Sequence, residues 1–437
     1  MKFSPESMQI IAAKHHQLTN QNFSHNAVQV ALTIQQAGFE AYLVGGCVRD
    51  SLLGMRPKDF DVATNATPEQ VKAIFNRNAR IIGRRFKLVH VYFGRELIEI
   101  ATFRSDHAEQ PSHNTDRSAH NEKGRILRDN VYGTRDDDAV RRDFTINALY
   151  FDPNSQQIYD YAHGVRDIQQ RLIQLIGDPR QRYLEDPVRM LRAIRFAAKL
   201  NFAIEEKTAA PIPELAPLLR DIPAARLYDE SLKLFLSGYA LKTFHALQQF
   251  GLFGQLFPAT QLLIEQGSQH AQLLVENALR NTDERIHAGK PVTPAFLFAA
   301  LIWPDVLARS QNLEAQGMHS IEALQEAAHW AMHNQVQRVA IPKRFTLPAR
   351  EIWALQQRLG RRQGKRAEAL LAHPRFRAAY DFLLLRESAG EATDDLGDWW
   401  THYQVAEPEQ RQQMQAALGR AKNGANKAKR RYRKRTN

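Results

Sequence analysis

The chain has 437 residues, 43% of them hydrophobic and 24% charged, which is ordinary globular composition with length for two or three cored domains. Its formal charge of +12 is not ordinary: residues 420–437 carry nine Lys or Arg and no acid, leaving the rest at +3. A membrane span is excluded, because the longest strongly apolar stretch, Ala295–Trp303 between Pro294 and Pro304, is nine residues and reads as a core helix.

The single cysteine, Cys47, forms no internal disulfide, and the start MKFSPESMQIIAAKHHQ holds no apolar run long enough for a signal peptide. Both suit a cytoplasmic location. The basic tail fits a phosphate backbone, held by counterion release. RNA is the expected partner, with a nuclear address as the competing reading.

Residues 1–23 read as a polar, His-containing leader. Val28, Ala31, Leu32 and Ile34 recur at helical spacing over 24–37, and Gly38 ends that helix. The segment from Tyr42 to Thr64, YLVGGCVRDSLLGMRPKDFDVAT, carries the most information. A buried strand at Ala41–Val44 leads to the Gly45-Gly46 turn and one helical unit closed by Gly54. A strand over Asp59–Ala63 follows. Alternation puts Asp59 and Asp61 on one face and Phe60 on the other. Carboxylates roughly 6–7 Å apart on one strand face repel each other unless a cation lies between them. Hard ions such as Mg²⁺ take one or two carboxylates plus substrate phosphates. Alone, a D-x-D is more often a solvated turn. Here Gly45 and Gly46 let backbone N–H groups approach a phosphate, the helix offers its N-terminus, and Arg49 is placed to fork two phosphate oxygens. Together these predict metal-assisted phosphoryl or nucleotidyl transfer. Cys47, between Gly46 and Val48, reads as packing.

Thr67 and Pro68 open a further helix. Lys87–Phe93 and Leu97–Phe103 alternate around Gly94-Arg95 as a hairpin. Ser105–Arg125 is polar and aperiodic, and is expected to be a mobile flap. From Asp167 onward helical periods dominate. The expected fold class is therefore α+β. A mixed-sheet head over 24–166 is followed by a helical neck over 167–240, an all-α body over 241–415 and a basic tail over 416–437. The short strand spacing argues against a doubly wound parallel sheet. Trp399-Trp400 is expected to pack a terminal helix.

Two further segments bear on the site. RRDFTINAL (Arg141–Leu149) supplies Asp143 and the pair Arg141-Arg142, of which one would reach a triphosphate or ribose. EDPVRMLRAIRFAAKL (Glu185–Leu200) opens with Asp186 as N-cap and Pro187 in the first position, then repeats Arg189, Arg192 and Arg195 along an apolar helix. Such buried charges need anions or acids opposite them.

With these motifs in order, the chain resembles the class II nucleotidyltransferases, the family of CCA-adding enzymes and bacterial poly(A) polymerases. LVGGCVRDSLLG…KDFDVAT looks like motif A, RRDFTINAL like motif B and EDPVRMLRAIRFAAKL like the base-reading motif D. The likeness covers roughly 25–240. It implies attack by an RNA 3′ hydroxyl on the α-phosphate of a nucleoside triphosphate, with Mg²⁺ or Mn²⁺ held by Asp59 and Asp61. Asp143 would be the third carboxylate, ranked above its competitor Glu99. Gly45, Gly46, Arg49, Arg142, Arg192 and Arg195 would hold the nucleotide, and Asp186 and Arg189 would read its base. A bacterial family also argues against the nuclear address.

IIGRRFKLVHV (Ile81–Val91) looks like the segment that marks the poly(A) polymerases, and Arg84-Arg85 in it are candidate RNA contacts. AIPKRF, LGRRQGKRA and HPRFRAAYDFLLLR resemble the same enzymes further on. Arg361, Arg362, Lys365 and Arg366, with Arg430, Arg431 and Arg433 of the tail, are candidate backbone contacts. Phe376, Tyr380 and Phe382 read as core more readily than as base-stacking platforms. The chain contains no His-Asp dipeptide, so the phosphohydrolase module of some CCA-adding relatives is not expected. The reading is adenylate addition from ATP to RNA 3′ ends. CCA addition is the runner-up and a catalytically silent RNA binder of the same fold is the third option. Resemblance alone points to RNA-decay proteins as partners.

Overall fold

The computed structural model describes residues 8–83, 87–105 and 132–418, with short strands at Ser118–His120 and Ile126–Asp129. The chain divides into two compact units at Leu219 and Arg220. The boundary falls inside the expected neck.

The first unit is built on an eight-stranded mixed sheet. Its strands are β1 (Gln9–Ile11), β2 (Ala41–Val44), β3 (Phe60–Thr64), β4 (Ala79–Ile82), β5 (Leu88–Phe93), β6 (Glu96–Thr102), β7 (Leu149–Phe151) and β8 (Ile158–Asp160). They lie in the order β1-β8-β7-β2-β3-β6-β5-β4. Only the β3–β6 pairing is parallel; every other pairing in this sheet is antiparallel. Within the expected leader, residues 9–11 extend the sheet edge against Ile158–Asp160.

Local chemistry explains the elements around the site. Helix α1 (His25–Gln36) is capped by Ser24, whose hydroxyl accepts the Ala27 N–H. The central strand β2 is buried at every position, as a strand covered on both faces must be. Helix α2 (Gly46–Leu52) starts from Gly45 at φ 75° and ends where Gly54 takes φ 71°. Helix α3 (Pro68–Phe75) carries a Thr67–Gln70 capping box with Pro68 in the first position. The β5–β6 hairpin turns at Gly94, φ 61°. Asp59 falls one residue before β3, so the strand contains only the second aspartate of the expected pair. Cys47 is buried, with its thiol against the Val44 carbonyl, and burial pushes that thiol up to about 12.

Helix α4 (Arg135–Arg141) leads into the second motif, and α5 (Gly164–Gln170) packs against it. The buried carboxylate of Asp160 starts α5 by accepting the N–H groups of Ala162, Gly164 and Val165. A Cβ on Gly164 would lie 2.2 Å from the Thr145 carbonyl oxygen. Gly164→Ala is therefore expected to lower stability by about 2 kcal/mol through overpacking against backbone, read from thermal unfolding. Helices α6 (Pro179–Glu185) and α7 (Val188–Leu200) complete the site, and a two-residue parallel pair, Leu172–Ile173 with Ala203–Ile204, is the last β structure among the described residues.

The second unit is helical. Its main helices are α8 (Ala224–Phe235), α9 (Gln269–His287), α10 (Pro294–Ala315), α11 (Ser320–Arg338), α12 (Lys343–Leu359), α13 (Phe376–Ser388) and α14 (Leu396–Val405). The apolar segment Ala295–Trp303 lies in the core as expected, but Pro304 does not end it: α10 runs on to Ala315. The side chains of Trp353 and Thr260 donate to the carbonyls of Ala299 and Leu301, either side of the Ala300 carbonyl that proline deprives of its partner. Trp400, within α14, is fully buried and packs that helix onto Phe376 and Tyr380 of α13. No helix among the described residues is long and apolar enough to cross a membrane.

Candidate active site

The parallel register of β3 and β6 sets Asp61 beside Glu99. Burial pushes the Asp61 carboxyl up to about 6, with Glu99 and Asp59 adding to the rise and Arg142 opposing it. Its side chain remains open to solvent, so the crowding is that of a cleft wall rather than a sealed core. Glu99 is in turn opposite His90 on β5, with Nε2 to Oε2 at 3.2 Å, and the Tyr92 hydroxyl stands 3.5 Å from His90 Nδ1. Asp61, Glu99 and His90 thus form a row across three strands.

The row contains Glu99 and not Asp143, the acid ranked above it. Asp143 is not beside Asp61 in the sheet but held by Arg192, whose Nε donates to its Oδ2 at 2.6 Å. The other oxygen accepts the Phe144 N–H at 2.8 Å and the Asn147 amide at 3.3 Å. Burial alone would raise this carboxyl, yet the Arg192 charge and the hydrogen bonds bring it down to about 2. Glu99, the competitor, is the acid that adjoins Asp61.

The glycine turn sits where it was expected. A Cβ on Gly45 would stand 3.6 Å from Arg142 Nη1 and 3.7 Å from the Asn147 carbonyl. Arg142 is fixed by Asp138, which accepts from Nε at 3.1 Å and Nη2 at 2.9 Å, and by the Tyr150 hydroxyl at 2.8 Å. Burial would raise Asp138, but the charges of Arg142 and Arg141 hold it low. Arg141 and Arg142 also lend their carbonyls to Arg182.

Arg49 is engaged within the protein. It is only 3% exposed, and its guanidinium is taken by Asp50 at 2.6 and 2.8 Å and by Asn147 Oδ1 at 2.7 Å. These bonds tie α2 to the loop before β7. Asp186 Oδ1 accepts the Val188 N–H at 3.2 Å, although α7 begins at Val188 and its N-cap position falls on Pro187, not on Asp186 as expected. Arg189 turns inward to the Arg182 carbonyl at 2.7 Å and Glu185 Oε2 at 2.8 Å. Phe196 gathers three guanidinium groups, with Arg49, Arg192 and Arg195 at 5.3, 5.5 and 4.6 Å from the ring centroid. The network Asp50–Arg49–Asn147–Asp143–Arg192 joins three distant stretches of sequence. Sequence reasoning missed Asn147, although it lies inside RRDFTINAL; its polar side chain in an apolar run was the available signal.

In the second unit Arg361, Lys365 and Arg366 are exposed, as backbone contacts must be. Arg362 lies 5.4 Å over Trp399, and burial lowers its pKa. Phe376, Tyr380 and Phe382 are at most 5% exposed and belong to the core. Arg84, Arg85, Arg430, Arg431 and Arg433, with most of the expected flap, lie outside the described residues.

A glycine-turned sheet with acids in register, leading into helices, defines this protein as a nucleotidyltransferase. Family profiles match over most of its length: "Poly A polymerase head domain" at 41–174, "Probable RNA and SrmB- binding site of polymerase A" at 201–263 and "Polymerase A arginine-rich C-terminus" at 316–437. Poly(A) polymerase I of Haemophilus influenzae is 46% identical over 93% of this chain and 90% of its own length. That of Escherichia coli O157:H7 is 48% identical over 91% and 86%. The chain belongs to the poly(A) polymerase family. A CCA-adding enzyme of Lactobacillus helveticus is 38% identical over 54% of this chain and 53% of its own. The fold is shared with the Thermotoga maritima CCA-adding enzyme complexed with tRNA, at a TM-score of 0.59 and 18% identity over 91% of this chain and 86% of that one.

Proposed function

We propose that the protein adds adenylates from ATP to RNA 3′ ends without a template, releasing pyrophosphate. The observation that carries this is the Asp61–Glu99 register beside Asp59, next to the Gly45 turn. A hard divalent cation, Mg²⁺ or Mn²⁺, fits the oxygen donors of Asp59, Asp61 and Glu99, whose mutual repulsion it would relieve. Among the described residues no three His, Cys, Asp or Glu side chains are arranged to hold an ion unaided. Substrate phosphates and water would complete the shell, as is usual for Mg²⁺. When bound, such ions neutralise charge on the reacting phosphates and lower the pKa of an attacking hydroxyl. The carboxylates hold and orient; Arg142, braced by Asp138 beside Gly45, presents positive charge to the triphosphate. His90 fixes the direction of Glu99.

Protons compete with the metal at Asp61. Since this carboxyl is pushed up to about 6, the Mg²⁺ needed for half-maximal incorporation should rise roughly tenfold per pH unit below that value. A metal requirement unchanged between pH 5 and 6 would take Asp61 out of the metal site.

For base choice, Asp186 and Arg189 remain the proposed readers. Arg189 now contacts Glu185, so an adenine ring nitrogen must compete with that carboxylate. Glu185→Gln is therefore expected to alter the KM for ATP severalfold with little change in kcat, read from steady-state incorporation. Likeness to poly(A) polymerase I over nearly the whole chain, against half of it for CCA-adding relatives, supports adenylation over the runner-up. The test supplies a generic RNA, Mg²⁺ and each triphosphate separately. Long tails from ATP alone support the reading. C-C-A addition confined to tRNA replaces it with the runner-up, and no incorporation leaves an RNA binder.

A further inference from the structure

In the helical unit, α9, the start of α10 and α13 enclose a groove of about 800 Å³, within the roughly 300–1,000 Å³ of small-molecule sites. Its floor is apolar. Phe296 is half-buried there, edge-on to Phe382 at 5.7 Å, with Leu384 alongside. Its rim carries four arginines, Arg280, Arg285, Arg375 and Arg377, against two acids, Glu284 and Asp381.

The rim charges are unevenly compensated. Arg377 pairs with Asp381 at 3.0 Å and Arg375 with Glu351 at 3.1 Å. Arg280 donates to Asn277 Oδ1 at 2.6 Å and Arg285 to the Pro291 carbonyl at 3.0 Å, both neutral acceptors. An apolar, aromatic floor under a cationic rim matches a nucleobase flanked by its phosphates. An acidic peptide answers the rim but offers the floor no flat ring.

We propose that this groove receives one unstacked nucleotide of the bound RNA, its base against Phe296 and its phosphates on Arg280 and Arg285. The site is separate from the carboxylates of the sheet. Binding is measured without triphosphate, so a failure of the adenylation chemistry would leave the readout untouched.

The experiment uses the full chain and a fluorescein-labelled single-stranded RNA carrying 4-thiouridine. Arg280→Ala and Arg285→Ala should each weaken binding about threefold to tenfold near 100 mM salt. Each should reduce the slope of log K on log salt by about 0.7, the value for one phosphate contact on a single strand. Phe296→Leu, which keeps apolar bulk, should lose roughly fivefold or more in affinity through lost stacking. With the unaltered chain, which has no folding risk, crosslinks should map to residues 277–296 or 374–388. Unchanged salt slopes, or crosslinks confined elsewhere, overturn the proposal. An Asp/Glu-rich peptide that depends on Arg280 while RNA binding does not would give the groove to a protein partner, and would overturn it equally.

Discussion

Asp61→Asn is expected to reduce ATP incorporation by on the order of 10³-fold, about 4 kcal/mol, without loss of folding stability. The activity should fall because an amide cannot supply the anionic oxygen that a divalent ion requires. Stability should hold because the native environment disfavours the charge. Asp61 is crowded by protein, by Glu99 and by Asp59, and its carboxyl is pushed up to about 6. That is above the ordinary value of roughly 3.9. Between the two values the folded chain binds a proton that the unfolded chain has lost, so stability falls as pH rises through that window and stays lower above it. Asparagine removes this liability. Thermal unfolding at pH 7 should give a midpoint equal to or above that of the parent, alongside near-abolished incorporation and retained RNA binding. Activity within tenfold of the parent would remove Asp61 from the chemistry.

The chemistry of the first motif was legible because every signal in it is local. A strand, two glycines, a helical unit closed by Gly54 and alternating aspartates follow from backbone preferences within a few residues of each other. The same holds for the Thr67–Gln70 capping box and the Gly94 hairpin. Which acid adjoins Asp61 was not legible, since the Asp61–Glu99 pairing depends on parallel register between strands far apart in the chain. Alternation placed Glu99 on the right face of its strand but said nothing about which strand would lie beside it.

The arginines make the same point with the opposite sign. Their positions were readable and their partners were not. Arg49 follows a glycine turn, where a phosphate is the obvious partner, yet Asp50 and Asn147 claim it. Arg189 sits four residues after Glu185 and pairs with it, a spacing that helix geometry favours but that Pro187 in between obscured. In the helical unit, Phe376, Tyr380 and Phe382 were readable as core because helical aromatics pack more often than they stack on bases; Phe376 and Tyr380 join the Trp400 cluster, and Phe382 packs on another side against Trp303. Pro304 misled, because α10 continues through it, within a stretch whose flanking carbonyls at Ala299 and Leu301 are engaged by side chains from elsewhere in the fold.

Arg192→Ala should lower stability by about 3 kcal/mol or more, the penalty for leaving a buried carboxylate without its counter-ion. Asp143 is 13% exposed at its side chain, and Arg192 is the charge that overcomes its burial. With the folded carboxyl brought down to about 2 against an unfolded value near 3.9, the pair contributes stability above roughly pH 4 that is lost as pH falls towards 2. In Arg192→Ala this acid limb should flatten, measured by urea unfolding across pH 2–7. Adding Asp143→Ala to Arg192→Ala should restore part of the loss, since the second change removes the stranded charge. Glu99→Gln should behave in the reverse way, with incorporation down at least 10²-fold and the unfolding midpoint at or above the parent's, because it relieves repulsion with Asp61. The two carboxylates thereby separate into one that maintains the fold between the second motif and α7 and one that serves the metal. Full stability in Arg192→Ala together with full activity in Glu99→Gln would return the catalytic role to Asp143.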